Sequence, residues 1–298
     1  MRSIHLWNRK SLWGGALLSV VLLLFSSVCV CAETGAKAST LDELITMFDS
    51  SSCKECHQKI CEQWEKSHHA RSLIGLDEEM LLNPYLKRAA QSGKTAEQAI
   101  KRDFPCFKCH LPQMKYGTDE VAAEIARASV NGDKDTVRKL NISCMVCHNE
   151  KAVVHGRPDK DVVYGTRDMP DHEGGPPVKR SLLLKNSLMC GQCHGLGPVL
   201  DSADMPVQCA TLYGSYLHAY IPSGGTQSCQ DCHMKNADHY MPPNFNNKEE
   251  VSARLRESLP MEVQTLAYTY HPKEDAFFPV VVVKTKITTT AGHRIPDG

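Results

Sequence analysis

Cys53-Lys54-Glu55-Cys56-His57 is the first of five pentapeptides of one design; Cys106-Phe107-Lys108-Cys109-His110, Cys144-Met145-Val146-Cys147-His148, Cys190-Gly191-Gln192-Cys193-His194 and Cys229-Gln230-Asp231-Cys232-His233 follow. Together they use ten of the chain's 14 cysteines. With Cys and His at these frequencies, chance places one such pentapeptide in roughly one chain in thirty, so five are a design.

The spacing selects the chemistry. Two thiols separated by two residues reach the same edge of a porphyrin and add to its two vinyl groups, and the adjacent His turns under the ring to bind the iron. Zinc asks for four protein ligands and leaves the constant neighbouring His without a role, and a thioredoxin-like redox pair needs one motif. The reading is therefore five covalently bound haem c groups. Cys53, Cys56, Cys106, Cys109, Cys144, Cys147, Cys190, Cys193, Cys229 and Cys232 hold the macrocycles, and His57, His110, His148, His194 and His233 are the proximal iron ligands. Two further cysteines, Cys61 and Cys209, are left as buried thiols or as one disulfide.

Working outward from the motifs, the N-terminus has the layout of an export signal. Arg2, Arg9 and Lys10 precede an apolar run from Leu12 to Phe25, and Val30-Cys31-Ala32 resembles a cleavage site. The run also approaches the ~20 residues of a membrane anchor. Residues 1–32 are assigned as a signal peptide, residues 33–260 as the five-haem domain and residues 261–298 as a β segment. The chain has 34 basic and 34 acidic residues; removing the leader takes three basic and no acidic ones, leaving a net charge of −3. No excess of positive charge favours nucleic acid as a partner. Export places the protein in the periplasm, at the outer membrane or at the cell surface, with membrane association as one option.

Aromatic residues make up 6% of the 298 residues, a thin supply for a large packed core. After cleavage there are ~53 residues per haem, too few for five independent domains. The haems must share one core. Eight histidines beyond the motifs and the leader are available as distal ligands: His68, His69, His155, His172, His218, His239, His271 and His293. Met145, Met189, Met234 and Met241 compete, but the surplus of His favours bis-histidine irons of low potential.

The expected fold is mainly α, with extensive irregular loops around the shared multihaem core. Capping boxes at Thr40-Leu41-Asp42-Glu43 and Thr95-Ala96-Glu97-Gln98 open helices over about 41–49 and towards the second motif. Segments 77–92, 119–131 and 247–258 read as helices, with Pro84 a disturbance in the first. Segment 156–181 is too rich in Gly and Pro for regular structure. Two strands are expected at 263–270 and 277–290. The Pro-Asp-Gly end is a turn signal without a following strand, so the β portion reads as truncated.

Several phrases carry a family resemblance: Trp64-Glu65-Lys66-Ser67-His68-His69-Ala70, Cys232-His233-Met234 with His239 nearby, and Gly292-His293-Arg294-Ile295-Pro296-Asp297-Gly298. The chain resembles the multihaem cytochromes that include the nitrification tetrahaem cytochrome, the hydroxylamine-oxidoreductase-like proteins and relatives in metal-reducing bacteria. The resemblance implies distal roles for His69 rather than His68, and for His155, His239 and His293. His172 and His218 compete for the fifth position, and His271 is a lesser candidate. It also implies closely packed haems forming a path for electrons. The expected function is electron transfer in anaerobic or extracellular respiration, without catalysis, to other cytochromes or an outer-membrane electron conduit. The rivals are a reductase of a small nitrogen or sulfur oxyanion with one open haem, and a subunit of a polymeric cytochrome wire.

Overall fold

A computed structural model of the chain describes residues 37–75, 78–154, 159, 161–195, 200–202, 205–207 and 211–295. The expected signal peptide, His155 and Cys209 lie outside these residues. Among the described residues no helix is long and apolar enough to cross a membrane.

The architecture is mostly short helices and irregular loops, with a C-terminal β-hairpin. Helix α1 (Leu41–Met47) starts at the expected capping box: Thr40 Oγ1 accepts from the Glu43 N–H, and the Glu43 carboxylate accepts from the N–H of Ser39 and Thr40. Helix α2 (Gln58–Glu65) follows the first motif directly. Helix α3 (Asn83–Gln91) is shorter than the 77–92 expected, because Pro84 sits in its first turn, where no helical N–H bond is lost. Its end is a Schellman closure at Gly93 (φ +75°): the Lys94 N–H donates to Ala89 and the Gly93 N–H to Ala90. The capping box at Thr95 opens only the single turn α4 (Ala96–Ala99). Helix α5 (Asp119–Val130) closes in the same Schellman manner at Gly132 (φ +70°).

These helices make a packed core of 21 buried residues running from Ala38 to Leu140. The inner face of α5 places Val121, Ala122, Ile125, Ala126 and Ala128 in it, the spacing of a helix with one apolar stripe. Leu44 from α1, Leu86 and Ala89 from α3, and Ile100, Phe104 and Phe107 around the second motif close the space. A second, small cluster holds Ala152, Val162 and Tyr164.

Segment 156–181 departs from its expected lack of structure. Strand β1 (Val163–Gly165) pairs in parallel with β2 (Val178–Arg180), Val163 opposite Val178. A Cβ on Gly165 would lie 2.6 Å from Val178 Cγ1, so a glycine is required for this approach. Three-residue strands carry no readable alternation, which is why the breakers dominated the sequence reading. A further short antiparallel pair joins β3 (Leu200–Ser202) and β4 (Met205–Val207).

Helix α6 (Lys248–Ser258) leads into the hairpin of β5 (Met261–Lys273) and β6 (Ala276–Ile287), paired from Met261↔Ile287 to Tyr270↔Phe278. The second strand ends before 290 because the chain turns back to α6: Thr288 N–H donates to Pro260 and Thr290 N–H to Ser258. Every residue of β5 is exposed, and in β6 only Ala276 and Val280 are partly covered.

Candidate metal centres

Each pentapeptide lies on a turn of helix. Residues i, i+3 and i+4 share one helical face, so the two thiols and the imidazole of a motif project together. The His57 N–H donates to Cys53 at 2.8 Å and the His110 N–H to Cys106 at 2.9 Å. The third motif winds into a π-turn, Val146–Glu150, the fourth ends helix Leu188–His194, and the fifth forms helix Cys229–His233. The last begins with a capping box in which Ser228 and Asp231 bond each other's backbone N–H.

Four of the five motif imidazoles lie near a second imidazole. Ring centroids are 6.0 Å apart for His57 and His172, 6.0 Å for His69 and His194, 6.2 Å for His148 and His239, and 6.1 Å for His233 and His293. A metal–nitrogen bond of ~2.0 Å, with ~1.1 Å more to the ring centre on each side, puts two trans imidazoles about 6.2 Å apart. The observed separations match that spacing and suit an iron held between Nε2 atoms.

The hydrogen bonds point the same way. Nδ1 of His110, His148 and His233 lies 2.8, 2.8 and 2.6 Å from the carbonyls of Ser72, Tyr164 and Pro242. Nδ1 of His172, His239 and His293 lies 3.1, 2.8 and 2.9 Å from those of Pro176, Ala237 and Arg294. A carbonyl only accepts, so these rings carry their proton on Nδ1 and keep the Nε2 lone pair for a metal. Burial holds the imidazoles neutral as well: it lowers the pKa of His110, His148, His194 and His233, and that of His69 to about 4, where the neighbouring imidazole of His194 adds to the effect.

The attachment cysteines also neighbour one another. Cys53 lies close enough to Cys144, Cys109 to Cys193 and Cys190 to Cys229 for each thiol to act on the other's titration, and Cys109 Sγ donates to the Cys193 carbonyl at 3.6 Å. Cys147 is close enough for its charge to be felt at both Cys190 and Cys193. The fourth motif therefore borders the second, the third and the fifth, and the first joins them through the third.

The remaining candidates are placed elsewhere. His110 has no opposing imidazole among the described residues. His68 is occupied: its Nε2 accepts from the Phe245 N–H at 3.2 Å, and its ring lies against Phe245. His218 is exposed on the turn Tyr216–Tyr220, and His271 lies on the exposed hairpin against Phe277. Of the two competitors, His172 and not His218 meets a proximal ring. Cys61 is a buried free thiol beside Cys144.

Several positioning groups escape a reading of side chains. The acceptors for the proximal rings are backbone carbonyls, which leave no trace in residue type. Ser72 grips the second motif twice, its carbonyl accepting from His110 and its hydroxyl donating to the His110 carbonyl at 2.6 Å. Tyr213 packs so closely on the fourth motif that a Cβ on Gly191 would lie 2.6 Å from its ring. Gly191, inside the pentapeptide, was the one sequence signal of that approach.

Among the described residues no three His, Cys, Asp or Glu side chains converge on a bare metal ion. The chain offers two imidazoles per pair and two thiols per motif. That donor set lacks the four ligands of structural zinc and suits an iron whose equatorial positions are filled by a porphyrin.

Comparison with known proteins agrees. Residues 52–149, which span the first three motifs, match the family of cytochrome c554 and c-prime. No curated protein matches the chain. The fold is similar to the crystal structure of a penta-heme cytochrome c552 from Thermochromatium tepidum, at 19% identity and a TM-score of 0.51, over 85% of this chain and 68% of that one. The fold is similar to that of a multihaem c-type cytochrome, and the family match supports haem c as the prosthetic group.

Proposed function

We propose that the chain is an exported pentahaem electron carrier, with His57/His172, His69/His194, His148/His239 and His233/His293 as axial pairs for the first, fourth, third and fifth motifs. The observation that carries this reading is the recurrence of a 6.0–6.2 Å imidazole separation at four motif histidines. Haem iron supplies a one-electron ferric/ferrous couple tuned by its axial ligands and surroundings. The chain's own work is to hold neutral imidazoles on both sides, to exclude water and to bring the attachment edges together. The closeness of Cys53 to Cys144, of Cys109 to Cys193 and of Cys190 to Cys229 supports a continuous path. Other cytochromes or an outer-membrane conduit are the partners proposed, with the periplasm or outer membrane as location. Intact mass and a pyridine haemochrome assay test the reading: five haems per chain are expected, and a colourless protein with free thiols refutes it.

A second reading is favoured by His110, which meets no other imidazole among the described residues. An iron there with a free axial position would bind a small ligand and open the way to reductase chemistry. His155 is the candidate to close that position. A high-spin signal in electron paramagnetic resonance of the oxidised protein, lost on adding cyanide, supports the open site. A His155→Ala variant that newly acquires such a signal assigns His155 as the ligand and removes the enzymatic reading.

A further inference from the structure

The four imidazole pairs are not equivalent. In three of them the two ring planes are nearly parallel, with interplanar angles of 18°, 21° and 18° for His57/His172, His148/His239 and His233/His293. In His69/His194 the angle is 87°. The hydrogen bonding differs in step. Both rings of the third-motif and fifth-motif pairs donate Nδ1–H to a carbonyl, and His172 does so in the first. Among the described residues neither His69 nor His194 has a carbonyl acceptor at Nδ1.

Both differences act on a metal in the same direction. An Nδ1–H···O=C bond pushes electron density towards Nε2 and favours the more highly charged metal state. A pair without it is the weaker donor and favours the reduced state. Parallel imidazole planes both donate into one of the iron's two π-type d orbitals and split them, which stabilises the electron hole of the ferric ion. Perpendicular planes donate one into each and leave the two orbitals nearly equal in energy.

The perpendicular ring is held in place. The Trp64 indole N–H donates to the Ile142 carbonyl at 2.9 Å, and the Ile142 N–H donates to the His69 carbonyl at 3.0 Å. Trp64 and Ile142 thus form a strut between the first-motif helix α2 and the backbone of His69, which belongs to the short 3-10 turn His68–Arg71. The site also occupies the junction, since the fourth motif borders the second, third and fifth.

We propose that the His69/His194 site is the electron-holding junction of the relay, the bis-histidine site of highest potential, with Trp64 as the positioning residue that sets the crossed rings. It takes one electron from a reduced neighbouring haem, whose iron passes from ferrous to ferric, and releases one to the next oxidised neighbour. This rests on the haem reading above.

The test is a stepwise titration of the oxidised holoprotein with sodium dithionite, followed by electron paramagnetic resonance. The expected result is one highly anisotropic low-spin signal at extreme low field beside ordinary rhombic ones, and its loss before theirs. His69→Ala should replace that signal with a high-spin one and leave the rhombic signals unchanged. Trp64→Phe should move it towards the rhombic position at unchanged haem content, a spectral change that general loosening of the fold does not produce selectively. Rhombic low-spin signals alone, or an anisotropic signal that is the last to be reduced, overturn the proposal while leaving the carrier reading intact. A protein without haem, or without any low-spin iron, refutes both.

Discussion

Residues 38–140 and residues 183–295 each carry two of the five attachment motifs, yet they are built on different physical grounds. The first region surrounds its motifs with 21 buried hydrophobic residues and closes its helices with paired caps. In the second, among the described residues, no hydrophobic side chain is fully buried. Its motif helices are held by single polar ties instead, such as Gln230 Nε2 to the carbonyls of Leu184 and Asn186, and Cys229 N–H to Ser187 Oγ. One region has a protein core of its own. The other has none among its described residues, and under the proposed reading haems would fill that place.

The sharpest way to break this comparison is to withhold haem. Expressed without the haem-attachment machinery, the chain should lose structure over 183–295 and retain it over 38–140. Limited proteolysis with mass mapping should show early cuts confined to the C-terminal region, and equal protection of both halves would end the distinction. Next in size, Ile125→Ala removes a fully buried side chain from the packed core, and urea denaturation should record a loss of about 2–5 kcal/mol. In the C-terminal region the comparable lever is a cap rather than a core residue. Ser228→Ala removes one half of the capping box at the fifth motif and should cost about 1 kcal/mol, read from the same titration.

A fourth test uses pH. Tyr116 donates to Glu150 Oε2 at 2.7 Å and ties the first region to the third motif. Burial, then the Glu150 hydrogen bond, raises its pKa in the folded protein. A phenol whose folded pKa exceeds its unfolded value stabilises the fold fully below about pH 10 and loses that contribution as the pH rises through the folded value. Tyr116→Phe should therefore weaken the protein at neutral pH, by about 1 kcal/mol, and flatten the alkaline limb of its stability curve. The smallest effect is expected on the hairpin: Leu266 is 64% exposed, and Leu266→Ala should stay within about 0.5 kcal/mol.

Legibility in the sequence followed the same division. The helices of the first region were readable because Thr40, Thr95, Gly93 and Gly132 are local signals whose effect is felt within a turn. The hairpin was readable because β-branched residues from Phe277 onward repeat along one strand. The pairing of Val163 with Val178 was not, since it depends on a loop returning to a glycine. Among the distal candidates, residue type alone left His172 and His218 equal; the turn that brings the Gly175 N–H to the His172 carbonyl at 3.0 Å is what places His172 opposite His57.

By itself the sequence determined which two thiols and which imidazole stand together at each motif, because they lie within five consecutive residues and covalent geometry alone joins them. Only the tertiary structure decided which imidazole stands opposite four of the motif histidines, at what angle and with what acceptor behind it. Those partners come from residues as distant as 125 positions along the chain, as His69 is from His194, and contacts of that range are made by packing and by backbone carbonyls that every residue type shares.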